Sequence, residues 1–577
     1  MKISIEKILE FRDLFPGEKD FDIEGVLCKY SRDTIVRLVN CLGMNFGNAY
    51  LPNPDNPFFS AISQKRVDEL NPLFVRFLER NKIEKVVFCT HRSMLELMRI
   101  SFSIPIQNFQ NNGLDEDFEY DFFRCLLYIN QKLMSFKTSE DIKDLSTLMF
   151  LTSFVLNDVS GTDWKECLQT QIYYVNRLAD FLDTHPEAVN LKNKFINKLG
   201  ISNFNEYIQT VLALVVLYVD EHNKNRKGCP ALDLGSFSDE AGFIHRQILE
   251  HIAIDINDVL HYDNEDSQNR DNNTDYRVFR SHPLVKISDN EYIFYSLPLL
   301  CERLYNSLFF DLKGFWTHGD YFQFYNKKVV EHHIFQYTIL DCLGTKSSCF
   351  YPSKDEILSI EESPETPNQP DFYIREKDAI ILFECKSVKL NGSLKDKADV
   401  DDLMKVLKNK LYLSVDNINP ERKKKGKTNL VGVTQLVNQI NLIEDDDFPW
   451  DIQIPDDVTY YPVIVLDDPK LSQIGLTGII NGWYQPLVKK ELEDTMCHPI
   501  IVMSIDILFL YSETFKRFGF RTIFDLFFKE YARYQTDGVG WQIVPFADFN
   551  SFMREKYAIS PSKKNFGVRL IDKIKQS

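Results

Sequence analysis

The residues best suited to chemistry lie in two short segments of the second half of the chain. The first is Pro370-Asp371, and the second is Glu384-Cys385-Lys386, which ends an apolar run. Side chains alternate between the faces of a strand, so Glu384 and Lys386 share one face while Cys385 points to the other. A short hairpin between the segments would bring Asp371 beside Glu384. The pattern predicts two carboxylates and one ammonium at the end of a buried strand.

These groups suit the hydrolysis of a phosphodiester. Charges at the end of a buried strand are costly unless they are exposed in a cleft, paired or bound to a metal. Two carboxylates supply the hard oxygen ligands that Mg²⁺ prefers. A neighbouring lysine can orient a water and stabilise charge on a phosphate. The alternative is a turn cap beside a surface salt bridge.

An α/β domain is predicted around these segments, because helices and short strands alternate through the second half. Helices are predicted at 321–343, 402–412, 430–443, 482–493 and 515–534. Strands are predicted at 348–351, 371–374, 379–387, 461–466 and 499–510.

In this order the segments resemble the signature of the PD-(D/E)xK nuclease superfamily, to which many restriction and repair nucleases belong. The resemblance covers about residues 319–511. It implies a restriction-endonuclease-like α/β domain, in which a central mixed sheet is flanked by helices. It also implies that Asp371 and Glu384 hold Mg²⁺, with Mn²⁺ as a substitute, and that Lys386 assists the attacking water. Cleavage would leave 5′-phosphate ends.

The resemblance implies two further residues from flanking helices. Glu331 would be a third metal ligand, contributed by the helix before the first strand. Gln435, with Gln439 one turn further on, would come from the helix after the signature strand. A solvated helix face explains Glu331 equally well, and four other acidic residues stand as its substitutes: Asp355, Glu356, Glu361 and Glu362.

A basic segment lies between the signature strand and the helix of Gln435. Five of the six residues 422–427 are basic, namely Arg422, Lys423, Lys424, Lys425 and Lys427. Because the net charge of the chain is 67 − 84 = −17, this cluster predicts a loop that grips phosphates, to which Lys389, Lys395 and Lys397 add charge. A solvated loop is the alternative. The segment Gly426-Lys427-Thr428 is not a phosphate-binding nucleotide loop, because the glycine needed five positions earlier is replaced by Glu421. ATP hydrolysis is therefore not expected.

Length and composition predict a folded chain of several domains. Its 577 residues are 44% hydrophobic and 13% aromatic, which excludes a disordered or collagen-like chain and fits two to four domains. Residues 1–262 are predicted to be a mainly helical region that senses a signal or clamps a partner or substrate. Residues 263–310 are predicted to hold a linker loop at 264–275, a hairpin and a connecting helix. Residues 311–577 would be the nuclease domain with a C-terminal helical extension.

The cysteines and apolar runs predict a cytoplasmic protein. None of the eleven cysteines forms a CxxC pair, which indicates reduced thiols. The charged start lacks the apolar stretch of a signal peptide. The apolar runs 211–219 and 500–511 are shorter than the roughly 20 residues that span a bilayer. We therefore expect no membrane association.

Together these features predict a Mg²⁺-dependent DNA endonuclease, and analogy suggests prokaryotic defence against phage. Two alternatives stay open: an RNA-cleaving effector of the same fold, and a non-catalytic protein that binds nucleic acid or a partner protein. Because two strands need two active sites, a homodimer or a partner complex formed through the N-terminal helical half is expected.

Overall fold

Two hydrophobic cores organise the chain, and a small sheet lies between them. The computed structural model describes residues 7–18, 20–43, 49–51, 64–83, 86–110, 117–135, 145–156, 164–224, 231–234, 244–260, 276–343, 349–352, 369–390, 399–414, 429–536 and 548–564. The predicted linker loop at 264–275 lies outside the described residues.

The first core belongs mainly to the N-terminal helices. Apolar residues at helical spacing, such as Ile35, Val36 and Val39, are fully buried in it. The antiparallel strands β1 (Ala49–Leu51) and β2 (Val86–Cys89) lie among the helices. The helices of this part are Phe11–Leu14, Ile23–Leu27, Arg32–Gly43, Gln64–Asn81, His91–Ser103, the 3₁₀ turn Ile106–Asn108, and Phe118–Leu133.

Later helices of the predicted N-terminal region pack in the second core instead. They are Leu145–Leu156, Trp164–Thr184, Pro186–Leu199 and Phe204–Lys224. Pro186 starts its helix at a position where no amide hydrogen is needed, which explains the break after Thr184. The ring of Tyr173 stacks on that of Phe509 at 4.2 Å between centroids. Residues 1–262 therefore contribute to both cores.

A four-stranded mixed sheet separates the cores. Its strands are β3 (Ala231–Asp233), β4 (Ala253–Asp255), β5 (Leu284–Lys286) and β6 (Glu291–Phe294), in the order β3-β6-β5-β4. Because side chains alternate along a strand, Leu284 enters the second core and Val285 the first. Four short helices surround this sheet: Arg246–His251, Arg277–Ser281, Leu297–Glu302 and Leu308–Lys313.

The second core is centred on a five-stranded mixed sheet. Its strands are β7 (Cys349–Phe350), β8 (Phe372–Glu376), β9 (Ala379–Lys386), β12 (Thr459–Leu466) and β13 (Ile501–Ser504), in the order β13-β12-β9-β8-β7. The strands β7, β8 and β9 pair antiparallel, whereas β12 is parallel to both β9 and β13. The two-residue strands β10 (Leu413–Ser414) and β11 (Asn429–Leu430) form a separate pair.

Helices cover both faces of this sheet. On one face, the ring of Phe383 meets Phe335 from the glutamate helix, our name for the continuous helical stretch 321–343. On the other face, Glu384 contacts the glutamine helix, Val433–Glu444. The remaining helices are the lysine helix Val400–Leu411, Leu476–Glu491, Ile505–Leu510, Ser512–Phe518, Phe520–Thr536, Phe549–Lys556 and Pro561–Lys564. The chain is therefore an α/β protein rich in helix with two mixed sheets.

Two predicted elements near the C-terminus are wrong in extent. The strand predicted over 499–510 ends at Ser504, and the apolar residues after it form the helix Ile505–Leu510. Periodicity alone does not separate a buried strand from a buried helix turn. The helix predicted over 515–534 is interrupted at Gly519, whose φ of 82° is left-handed. Among the described helices, none is long and apolar enough to cross a membrane.

The buried carboxyl group of Asp506 gives the fold a pH dependence. Burial raises its pKa from 3.8 to about 6, although the hydroxyl of Tyr174 donates a hydrogen bond to it. Since the folded-state pKa is above the unfolded one, the group costs stability as pH rises from about 4 to about 6. We expect Asp506→Asn to increase the free energy of unfolding at pH 7 by up to about 3 kcal/mol, but not near pH 4.

Urea unfolding at several pH values measures this difference. The exposed Asp447 supplies the control, because Asp447→Asn should leave the pH profile of wild type unchanged. A gain for Asp506→Asn that is equal at pH 4 and pH 7 would contradict the assignment.

Candidate active site

Strands β8 and β9 bring the predicted signature residues together. Phe372 pairs with Phe383 in the antiparallel ladder, so Asp371 lies just before β8 where β9 ends. The carboxylate of Asp371 accepts a hydrogen bond of 2.7 Å from the backbone amide of Cys385. The predicted hairpin is therefore present.

Glu384 and Lys386 form a direct pair on one face of β9. The ammonium of Lys386 lies 2.6 Å from Oε2 of Glu384 and 3.8 Å from Oδ2 of Asp371. Glu384 is fully buried, whereas the side chain of Lys386 is 19% exposed. Lys386 is therefore partly buried, and its carboxylate partner has no contact with solvent.

The glutamine helix covers one face of the sheet and hydrogen-bonds to both members of this pair. Gln439 donates a hydrogen bond to Oε1 of Glu384, and Oε1 of Gln435 accepts one of 3.3 Å from Lys386. The amide of Gln435 donates in turn to the carbonyl of Gln369, at 3.4 Å. Both glutamines therefore contact the signature pair, as the sequence predicts for Gln435.

Glu331 lies on the glutamate helix, near enough to the same group to be affected by its charges. Its segment Tyr325–Phe335 is a π-helix between the α-helical segments Tyr321–Phe324 and Gln336–Leu343. Such wide turns are rare and often occur at functional sites. The charges that act on Glu331 are those of Asp371, Lys386, Glu384 and Lys327. The half-buried Glu331 is therefore part of the site's electrostatics rather than a purely solvated residue.

The carboxyl groups of Asp371 and Glu384 lie beside the Lys386 ammonium, and Glu331 is near them. Burial, reinforced by the charge of Asp371, raises the pKa of Glu331 to about 9. Burial also raises the pKa of Glu384 to about 8, although Lys386 opposes the shift. The carboxylates more than offset the burial of Lys386 and raise the pKa of its ammonium. Near neutral pH Glu331 and Glu384 therefore hold their protons in the metal-free protein.

The oxygen atoms of these carboxyl groups are ligands that suit a hard divalent cation. Carboxylate oxygens are the preferred ligands of Mg²⁺, and a bound cation would displace the protons that the raised pKa values retain. In the part of the chain that the structure describes, no three Asp, Glu, His or Cys side chains form a ready metal-binding group. At this site Lys386 occupies one oxygen of Glu384. An ion held by Asp371 and Glu384 would therefore compete with Lys386.

The predicted phosphate-gripping residues are described only in part. Lys389 forms an ion pair of 3.0 Å with Asp467, which also accepts a hydrogen bond from the hydroxyl of Ser387. The pairing with Asp467 was not predicted from the sequence. Several other predicted residues lie outside the described residues: Arg422, Lys423, Lys424, Lys425, Lys427, Lys395, Lys397, Asp355, Glu356, Glu361 and Glu362.

Gly432 fixes where the glutamine helix begins. Its φ is 51°, and a Cβ there would lie 2.1 Å from the carbonyl oxygen of Leu411 at the end of the lysine helix. We expect Gly432→Ala to destabilise the fold by about 2–3 kcal/mol and to lower any activity that depends on Gln435. Thermal unfolding of the variant measures the effect.

Gly482 provides the matched control for this substitution. It lies within the helix Leu476–Glu491, and no heavy atom lies within 4 Å of a Cβ built there. Gly482→Ala should be neutral or stabilising by up to about 1 kcal/mol. Equal effects of the two substitutions would contradict the role given to Gly432.

Comparison with known proteins adds no identification. No protein-family model and no curated protein matches the chain. The resemblance to the PD-(D/E)xK superfamily therefore depends on the signature residues and their arrangement alone.

Proposed function

We propose that this chain is a metal-dependent nuclease that hydrolyses phosphodiester bonds, with DNA as the first substrate to test. One observation carries the proposal. Asp371, Glu384 and Lys386, which are separated by up to fifteen positions in the sequence, converge at the ends of two paired strands. Gln435 contacts the same lysine. A turn cap beside a surface salt bridge does not account for a fully buried Glu384 held by Gln439.

Each side chain has a distinct part in the proposed reaction. Asp371 and Glu384, with Glu331, would hold Mg²⁺ or Mn²⁺, which supplies a Lewis acid for the phosphate. Lys386 orients the attacking water, and its ammonium stabilises the charge that develops on the phosphate oxygens. Gln435 holds the Lys386 ammonium in place through the 3.3 Å hydrogen bond.

The arrangement of the sheet also supports this proposal. A mixed sheet with helices on both faces is the architecture that the superfamily resemblance implies. Asp371 and Glu384 lie where strands end, and the exposed part of Lys386 faces solvent there. Substrate would therefore meet Lys386 before Glu384, which is fully buried.

The test is cleavage of supercoiled plasmid and of single-stranded RNA with Mg²⁺, Mn²⁺ or EDTA. We expect cutting with either metal and none with EDTA, and we expect Asp371→Ala to abolish it. Glu491→Gln serves as the control, since this carboxylate lies on the surface beside Lys490. Cleavage of RNA alone would assign the RNA-cleaving alternative. Metal-independent binding without cleavage of either substrate would contradict the nuclease.

A further inference from the structure

A groove runs along the lysine helix, whose end packs against the start of the glutamine helix. Its volume is about 570 Å³. It is lined by the apolar parts of Met404, Tyr412 and Leu413 and by the polar side chains of Asp401, Lys405, Lys408 and Asn409. The groove therefore combines an apolar surface with cationic groups.

The lysine helix separates its charges along its length. The acidic Asp401 and Asp402 lie in its first turn, while Lys408 and Lys410 lie in its last. Lys405 and Lys408 are exposed, lie three residues apart on one face, and form no ion pair with a described residue. Because Asp401 also lines the groove, the two lysines give it a net positive charge that is partly compensated.

The end of this groove is joined directly to the candidate site. The carbonyl of Tyr412 accepts a hydrogen bond of 2.7 Å from the hydroxyl of Thr434. The next residue is Gln435, whose side chain contacts Lys386. Because Gly432 packs against the end of the lysine helix, the groove and the glutamine helix have a fixed relation. The Tyr412 end of the groove is therefore linked to Lys386 through Thr434 and Gln435.

We propose that this groove binds an unpaired nucleotide of the substrate strand next to the bond that is cut, an inference that rests on the proposed nuclease function. The base lies against Met404 and Tyr412, and the adjoining phosphates pair with Lys405 and Lys408. Bases stack on aromatic side chains only when they are free of a duplex, because paired bases face inward. Asp401 repels phosphates from the opposite end of the groove.

Binding without cleavage tests this assignment. The full chain carrying Asp371→Ala is titrated with a fluorescent single-stranded oligonucleotide of about ten nucleotides, and anisotropy is followed as salt is varied. Adding Lys405→Gln and Lys408→Gln should weaken binding about tenfold at about 100 mM salt. The slope of log affinity against log salt should fall by about 1.4, or about 0.7 for each phosphate that is no longer paired with a lysine. Tyr412→Leu should weaken single-strand binding and leave the salt slope unchanged.

Lys489 and Lys490 provide the matched control. They are exposed near the end of the helix Leu476–Glu491, so Lys489→Gln with Lys490→Gln removes the same charge from another surface. An equal loss of binding affinity in the two double variants would overturn the proposed role of the groove. No loss of affinity in the Lys405→Gln, Lys408→Gln variant would also overturn it. An equal loss with duplex and single-stranded oligonucleotides would also overturn it. Failure of the wild-type chain to cut any substrate would overturn the nuclease separately, because the anisotropy measurement needs no cleavage.

Discussion

Lys386→Met is expected to slow cleavage by orders of magnitude while metal binding is retained. The ammonium of Lys386 lies 2.6 Å from Glu384 and competes with a cation for that carboxylate. Its removal should leave Mg²⁺ affinity equal or higher, and should lower the cleavage rate by about 10³-fold because the developing charge loses its cationic partner. Plasmid cleavage and the metal-induced shift in melting temperature measure the two effects.

Two further substitutions separate the role of the lysine from that of the fold. Glu384→Gln should remove both cleavage and the metal-induced shift, because it removes a ligand. Lys490→Met changes an exposed lysine that pairs with Glu491 at 3.1 Å and should change neither property. Cleavage by Lys386→Met within about threefold of wild type would contradict the assigned role.

Metal affinity is expected to rise steeply with pH, in proportion to the protons that the carboxyl groups release. Burial raises the pKa of Glu331 to about 9 and that of Glu384 to about 8. Both groups therefore carry protons near neutral pH in the metal-free protein, and a bound cation must displace them. Affinity for Mn²⁺ should increase roughly tenfold per pH unit for each proton released, between about pH 6 and pH 8.

The same groups set the stability of the metal-free protein. Since their folded-state pKa values lie above the ordinary 4.5, stability is lost as pH rises from about 4.5 towards 8–9, and bound metal should restore it. Glu331→Gln should therefore raise the melting temperature of the metal-free protein at pH 8 and weaken the metal-induced shift.

Calorimetric titration in two buffers of different ionisation enthalpy counts the released protons. The count should fall by up to one in Glu331→Gln and stay at the wild-type value in Glu491→Gln. An affinity that is independent of pH over this range would show that the carboxyl groups do not bind the metal.

Strand alternation and hairpin geometry were enough to place the signature residues. Glu384 and Lys386 share a face of β9, Cys385 is buried on the other, and Asp371 returns beside Glu384. These relations are local, because a strand alternates every residue and a short hairpin has little freedom in register. The helix and strand order of the second half follows from the same periodicities, apart from the early end of β13.

Contacts between elements that are distant in the sequence decided the features that the periodicity of apolar residues does not predict. The sequence does not show that the helices of 164–224 share a core with β9, because an amphipathic helix does not specify which apolar surface covers it. The π-helix around Glu331 and the pairing of Lys389 with Asp467 likewise depend on partners distant in sequence. The spacing of Lys405 and Lys408 in the sequence indicates that both lie on one face of a helix. The sequence gives no indication that the groove beside Tyr412 is connected to Gln435.

The sequence by itself therefore determined the groups that can do chemistry and the strand that carries them. Only the tertiary structure decided their charge balance. The raised pKa values of Glu331 and Glu384 come from burial between elements, and Lys386 is held by carboxylates that approach it from two strands. Desolvation depends on everything packed around a group, so it is a property of the assembled fold.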